Sequence, residues 1–332
     1  MSRAILPPLL IPLLKRMSDG RFHSGQSMAG HFDVSRTTVF NLLQAAEQRG
    51  VRIHAVRGKG YRLAERLSWL DTDALQAKLL ESGHDYVLKT VEEAHSTNTL
   101  LTQDALAGAP HRTVLYADYQ HAGRGRRGRI WQSPLGGGIT FSVLWRFERS
   151  MDQLSGLSIA VGLALARALS SHCPLPVKLK WPNDVLAGYR KLAGILVEVQ
   201  GELSGPSFAV IGIGVNERLP PPYRQEIDQA VVDLAEMGVS IGRTELLHAI
   251  LSELAQTMNL FEQQGIRPAL ADWPSWHAHE GRAVSLRTPD GHSHIGTVCG
   301  LDEAGNLILT LPGGDMRKFS AGEVSLRPLA AK

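Results

Sequence analysis

Residues 123–129 read Gly-Arg-Gly-Arg-Arg-Gly-Arg, and the nine that follow, Ile-Trp-Gln-Ser-Pro-Leu-Gly-Gly-Gly, cannot be helical. The stretch formally matches the G-x-G-x-x-G dinucleotide fingerprint. That fingerprint works only where a helix opens on its glycines and points amides and dipole at a pyrophosphate, so no dinucleotide site is expected here. What remains is a loop in which free backbone amides alternate with four arginines. Glycine permits close approach and guanidinium forks grip phosphate or carboxylate at two points, so the loop suits a polyanion and the expected guests are phosphates or carboxylates. The chain contains neither G-x-x-x-x-G-K-[ST] nor G-x-S-x-G, which excludes a P-loop NTPase and an α/β-hydrolase nucleophile elbow.

Charge is unevenly spread. Residues 1–66 hold 11 Lys and Arg against 4 Asp and Glu, a net +7, and the rest of the chain carries −4, although the 332 residues together are only +3. A basic front end suits a phosphate-backbone binder, because each neutralised phosphate releases condensed counterions. On charge alone it could equally be solvated surface, but the pattern is more specific. Ser24-Gly-Gln-Ser27 opens a short helix to His31, a turn follows at Phe32-Asp-Val34, and Ser35 can cap a second helix running to about Arg49 before Gly50. Val39, Leu42, Leu43 and Ala46 recur at core-facing spacing, leaving Arg36, Thr37, Thr38, Asn41 and Gln44 outward. Val51–Val56, a tight basic turn carrying Arg57 and Lys59, and Tyr61–Leu63 then read as a hairpin. The whole resembles a winged helix-turn-helix over 1–66. Ser35, Arg36, Thr37, Thr38, Asn41, Gln44, Arg57 and Lys59 are its candidate DNA contacts.

The apolar run Ile5–Leu14 is too short and too proline-broken for a bilayer, and it ends in Lys15-Arg16 instead of small residues, so no membrane or export segment is expected. Two cysteines, Cys173 and Cys299, lack metal or redox spacing and suit a reducing cytoplasm. Further along, a helix is predicted over 72–83 and a strand over 85–91. Strands follow at 113–119, 139–146, 177–181, 195–200 and 208–215, with helices over 154–171 and 243–264, giving a mixed α/β domain over 67–276. Short apolar runs at 283–286, 295–299, 307–311 and 316–319, with turns at Pro289-Asp-Gly291, Glu303-Ala-Gly305 and Gly313-Gly314, predict a small β-barrel over 277–332. The fold class is therefore α+β. His277-Ala-His279 and His292-Ser-His294 read as structural or solvated histidines on loops, so no metal site is assigned.

Three more motifs keep company with the arginine loop. Lys178-Leu-Lys-Trp-Pro-Asn-Asp184 runs a strand into a proline exit and puts Asn183 and Asp184 at its mouth, where ligands commonly sit. Lys191 stands at the entry of the next strand, and Gly212-Ile-Gly-Val-Asn216 closes another. Taken with Ser96-Thr-Asn98, Tyr119-Gln120, and Gly123–Arg129 with Trp131, these motifs resemble biotin protein ligases in order and spacing, over nearly the entire chain. The resemblance is to the long form that doubles as biotin operon repressor. It implies a class II synthetase-like central domain and an SH3-like C-terminal barrel.

Family members join the biotin carboxylate to ATP, supplied with Mg²⁺, release pyrophosphate, and pass the acyl group of biotinyl-5′-AMP to a lysine of a carrier domain. The resemblance thus implies as partner the biotin carboxyl carrier protein of acetyl-CoA carboxylase. It also implies operator DNA of biotin-synthesis genes, with the adenylate as corepressor of a ligand-promoted homodimer. Carried over residue by residue, Lys191, Arg124, Arg126 and Asp184 are the implied catalytic set. Ser96, Thr97, Asn98, Gln120, Arg124, Gly125, Arg126 and Lys191 would hold biotin, and Trp131, Asn183 and Asn216 the adenylate. Two departures stand out. Ile130 replaces a residue that is basic in many relatives, and Pro220-Pro-Pro222 disrupts the family's adenylate loop, leaving the adenine clamp open between Val231 and Val232. A ligase without operator recognition, a non-catalytic sensor and a lipoate-type ligase are the competing readings.

Overall fold

The computed structural model describes residues 5–202, 205–288, 290–320 and the backbone of 325–328. Near the N-terminus the proline-broken run becomes helix α1 (Leu10–Met17), because Pro12 falls in its first turn, where no intrahelical amide is needed. Helix α2 (Gly25–Phe32) ends on Asp33 in the left-handed region, φ 52°. Ser35 then caps α3 (Arg36–Glu47) by accepting a hydrogen bond from the Thr38 amide. Val39, Leu42, Leu43 and Ala46 are the buried face of α3, as the spacing predicts. Strands β1 (Ile53–Val56) and β2 (Gly60–Leu63) pair antiparallel and form the wing.

After α4 (Thr72–Glu81) come β3 (Val87–Ala94), α5 (Thr97–Leu106), β4 (Thr113–Gln120), β5 (Gly138–Phe147) and α6 (Leu157–Ser170). The predicted helix over 154–171 is split, because Gly156 adopts φ 79° between a short 3₁₀ turn and α6. Strands β6 (Val177–Lys180), β7 (Asp184–Ala187), β8 (Arg190–Gly201) and β9 (Ser207–Asn216) follow, then α7 (Pro221–Gln225), α8 (Arg243–Gln264) and α9 (Arg267–Trp276). The seven strands form one sheet in the order β3-β4-β5-β9-β8-β7-β6, in which only β3 and β4 run parallel. The expected proline exit after β6 is a hairpin: the Trp181–Pro182 bond is cis and Asp184 returns opposite Lys180 as the first residue of β7.

Both faces of the sheet are covered. Period-two alternation sends Val114, Tyr116, Val143, Trp145, Ile211 and Ile213 to the face packed by α6 and α8. The intervening Leu115, Leu144, Phe208 and Val210 meet Leu101 and Ala105 of α5 on the other face. Along that α5 face the apolar lining stops abruptly. Beyond Leu144 and Val210 the paired rows read Ser142–Gly212–Leu196 and Thr140–Gly214–Gly194, so small and polar residues leave a hollow at the strand ends. Helix α6, with eleven buried residues, is spent entirely on the core.

The C-terminal strands β10 (Ala283–Arg287), β11 (Ser293–Leu301), β12 (Leu307–Thr310), β13 (Met316–Phe319) and β14 (Ser325–Pro328) form an antiparallel sheet ordered β13-β12-β11-β10-β14. Among the described residues no ladder joins β13 to β14, so the expected barrel is seen here as an antiparallel sheet. Pro289 of the expected turn lies outside the described residues. His277 and His279 are buried, His277 stacked on Trp273 and paired with Glu280, so the first histidine pair is core.

The winged helix-turn-helix is seated firmly on the central sheet. Tyr119 of β4 and Leu135 belong to the same apolar cluster as Leu10, Leu13 and Leu14 of α1. Lys15 pairs with Asp118 at 2.8 Å, the Leu6 amide donates to Glu93, and the Tyr223 hydroxyl donates to the Arg49 carbonyl at 3.3 Å. Glu65 is gripped by both Arg52 and Arg218.

Candidate active site

The hollow on the α5 face opens into a cavity of about 370 Å³, within the range of small-molecule sites. One wall is formed where β3 turns into α5. Ser96, Thr97 and Asn98 are at most 3% exposed there, and Gln120 at the end of β4 is 8% exposed. These groups hold one another. Gln120 Oε1 accepts from the Thr97 amide at 2.7 Å, and the Ser142 hydroxyl lies 2.8 Å from Thr97 Oγ1 and 2.6 Å from Asn98 Oδ1. Asn98 Nδ2 donates to the Leu196 carbonyl at 3.1 Å and to Glu198 at 2.8 Å. Gly212 is required beside it, since a Cβ there would stand 2.2 Å from Asn98 Oδ1. Thr97, Asn98, Gln120 and Ser142 thus form one hydrogen-bonded network, the kind that fixes one orientation for hydroxyl and amide groups.

The opposite wall is cationic. Arg124 donates to Glu198 at 2.7 Å, the carboxylate it shares with Asn98. Arg126 reaches only the neutral Asn183 Oδ1, at 3.5 Å. Burial, with Arg127 close by, lowers the pKa of Arg126 from the usual arginine value against the opposing pull of Asp184, so an anion arriving here would favour the charged form. Lys191 extends from β8 to Asp184 at 2.7 Å and lies 5.5 Å from the Trp131 ring centroid. The Trp131 indole rests on the glycine row: a Cβ on Gly214 would meet it at 2.3 Å and one on Gly194 at 3.0 Å. The loop itself is closed by an Arg124–Ile130 bridge around a 3₁₀ turn at Arg126–Gly128, with no helix opening on its glycines.

Three segments of the chain match known family profiles: the biotin/lipoate A/B protein ligase family over residues 91–216, an HTH domain over 12–62 and the biotin protein ligase C terminal domain over 279–327. The Bifunctional ligase/repressor BirA of Salmonella typhimurium is 35% identical over 96% of this chain and 97% of that protein. Its Escherichia coli namesake is 33% identical at the same coverage. The chain belongs to the biotin protein ligase family. A solved biotin protein ligase from Aquifex aeolicus, in complex with biotin and ATP, covers 73% of this ligase and 99% of its own chain, with 29% identity and a TM-score of 0.62.

The ligase brings Ser96, Thr97, Asn98, Gln120, Arg124, Gly125, Arg126, Trp131, Asn183, Asp184 and Lys191 to one cavity. It does not bring Asn216 there. That side chain is 4% exposed and donates to the Lys191 and Val232 carbonyls, both at 3.2 Å, so it acts as a brace behind the lysine. Val231 is bridged to Lys191, and Val232 is fully buried in the core. The rim beyond α7 comes instead from Glu226, Ile227, Asp228 and Gln229, which the sequence reading missed. Ser142 was also missed, while Lys180 and Glu198 lie in motifs that the sequence singles out without a role for either. Only the alternation of small and large residues along β5 could have signalled Ser142. On the winged helix-turn-helix of the ligase, Ser35, Arg36, Thr37, Asn41, Gln44, Arg57 and Lys59 are exposed, while Thr38 is half-buried against the Ser35 hydroxyl at 2.9 Å. This set lies apart from the cavity. Among the described residues no group of three or more His, Cys, Asp or Glu is placed to hold a metal ion.

Proposed function

We propose that the protein is an ATP-dependent biotin protein ligase that is also a biotin-responsive, DNA-binding repressor. One observation carries the enzymatic half: Lys191, Arg124 and Arg126, from separate stretches of chain, line the same cavity as the buried polar wall. Joining a carboxylate to an α-phosphate brings two anions together, and unit charges ~4 Å apart repel by ~4 kcal/mol at an effective dielectric near 20. Cations fixed in advance offset that repulsion without reorganising during the reaction. Lys191 is the group assigned to bridge carboxylate and α-phosphate oxygens. Arg126, half-dry and weakly partnered, takes phosphate charge, and Arg124 leaves or shares Glu198 to do the same. The wall of Ser96, Thr97, Asn98 and Gln120 orients the ureido head of biotin, whose donors and acceptors match hydroxyl and amide groups. Trp131 covers the ligand, and Asn183 sits on the nucleotide side.

Magnesium arrives as part of the ATP complex and neutralises the leaving pyrophosphate. In the second step the acceptor amine of a biotin carboxyl carrier protein attacks the acyl carbon of biotinyl-5′-AMP, forming the amide and breaking the acyl–phosphate bond so that AMP leaves. The amine must lose a proton, and Asp184 is the carboxylate at the site able to orient or take it. We place this chemistry in the cytoplasm. The central unit, about residues 67–276, is read as class II synthetase-like, the C-terminal sheet as SH3-like, and the adenylate-bound form as a homodimer on a two-fold operator.

The test is direct. With ATP and Mg²⁺, purified protein releases pyrophosphate in the presence of biotin and adds the mass of one biotinyl group to a carrier domain. Release with lipoate and not with biotin rejects the assignment.

A further inference from the structure

Helix α3 carries one residue that its buried face does not explain. Phe40 is 46% exposed, whereas Val39, Leu42, Leu43 and Ala46 form the core side of the same helix. At three- and four-residue spacing Phe40 shares a face with Thr37, Asn41 and Gln44, all exposed, with Arg36 beside them. The exposed Arg57 and Lys59 of the wing turn and the +7 charge of residues 1–66 make this the basic side of the molecule, complementary to a polyanionic duplex. The second helix of a helix-turn-helix lies in the major groove with the residues of its N-terminal half at base edges, and Phe40 is the fifth residue of α3.

A phenyl ring neither donates nor accepts a hydrogen bond. The apolar group that base edges present in the major groove is the C5-methyl of thymine. We propose that Phe40 is a specificity-determining residue that packs on a thymine methyl in each half-site, between amide contacts made by Asn41 and Gln44. The inference rests on the DNA-binding half of the proposed function and adds a feature of the sequence that is read.

The experiment uses the full-length protein with biotin, ATP and Mg²⁺, and selects bound duplexes from a randomised pool. Wild-type protein enriches a symmetric site with a thymine at a fixed place in each half. Replacing that thymine by deoxyuridine, which removes only the methyl, weakens wild-type binding by about fivefold to tenfold, the lower range for one altered base pair. Phe40→Ala loses the preference at that position and binds thymine and deoxyuridine sites equally, while keeping the other base preferences and full pyrophosphate release. Phe40→Leu, which keeps an apolar side chain, retains part of the discrimination. If Phe40→Ala selects the same site and still senses the methyl, the proposal is overturned. It is equally overturned if the variant alters self-association in sedimentation without altering base preference, because the ring then serves a protein interface. Failure of wild-type protein to enrich any sequence overturns the DNA-binding reading itself, and the role of Phe40 with it.

Discussion

The two walls of the cavity are built on opposite principles. On the side of Ser96, Thr97, Asn98 and Gln120 the polar groups are buried, and Thr97, Asn98 and Gln120 are held in place through one another and Ser142, so the wall is ordered before a ligand arrives. On the arginine side the cations are engaged provisionally: Arg124 with Glu198, Lys191 with Asp184, and Arg126 with a neutral amide. A neutral, shape-specific ligand head calls for the first arrangement and a transient concentration of negative charge for the second. Selectivity is thus invested in rigidity, and rate in cations that can change partner.

The largest expected effect comes from Lys191→Ala. Loss of a preorganised charge-stabilising group costs about 10²–10³ in kcat/KM for pyrophosphate release, with the fold retained by circular dichroism. Near-normal release would remove the contrast between the walls. Gly214→Ala comes next. The added Cβ would stand 2.3 Å from the Trp131 ring and displace it, so ATP-dependent kcat/KM falls by about 10- to 100-fold while biotin binding by calorimetry changes less. Equal losses for both ligands would mean that the indole serves both walls. Ser142→Ala tests the ordered wall. It removes the hydroxyl between Thr97 and Asn98, costs about 1–2 kcal/mol in urea unfolding, and raises the KM for biotin with kcat largely kept. The smallest effect is that of Arg124→Ala on stability. Its pair with Glu198 is 41% and 31% exposed, so unfolding shifts by less than about 1 kcal/mol even as adenylation slows.

The sequence was most readable where one residue type does one job. Arginine alternating with glycine excluded a helix and announced an anion loop, and the spacing of Val39, Leu42, Leu43 and Ala46 assigned the faces of α3 before any coordinates. Strands β4, β5, β6 and β9 lie close to their expected positions. Legibility failed where a residue acts through tertiary neighbours. Asn216 ends a strand among ligand-like motifs, yet its amide is used up on the backbone behind Lys191. Ser142 sits inside a strand, where a lone polar residue has no local signature; it matters because β5 and β9 place it in register with Gly212. The Trp-Pro-Asn-Asp segment reads as a loop mouth because Pro182 hides a hairpin from propensity rules, and the buried Trp181 donates to the Gly305 carbonyl of the C-terminal region at 3.0 Å.

Because Tyr119 and Leu135 complete the apolar cluster of α1, the DNA-reading portion is not a detachable bead on a string. Cutting the chain near residue 66 would strip the sheet of a lid, leaving grease and the unmatched carboxylate of Asp118 facing water one residue from Tyr119 and two from Gln120 in the cavity wall. A shortened enzyme of this lineage would need a repainted surface before it could work unaccompanied.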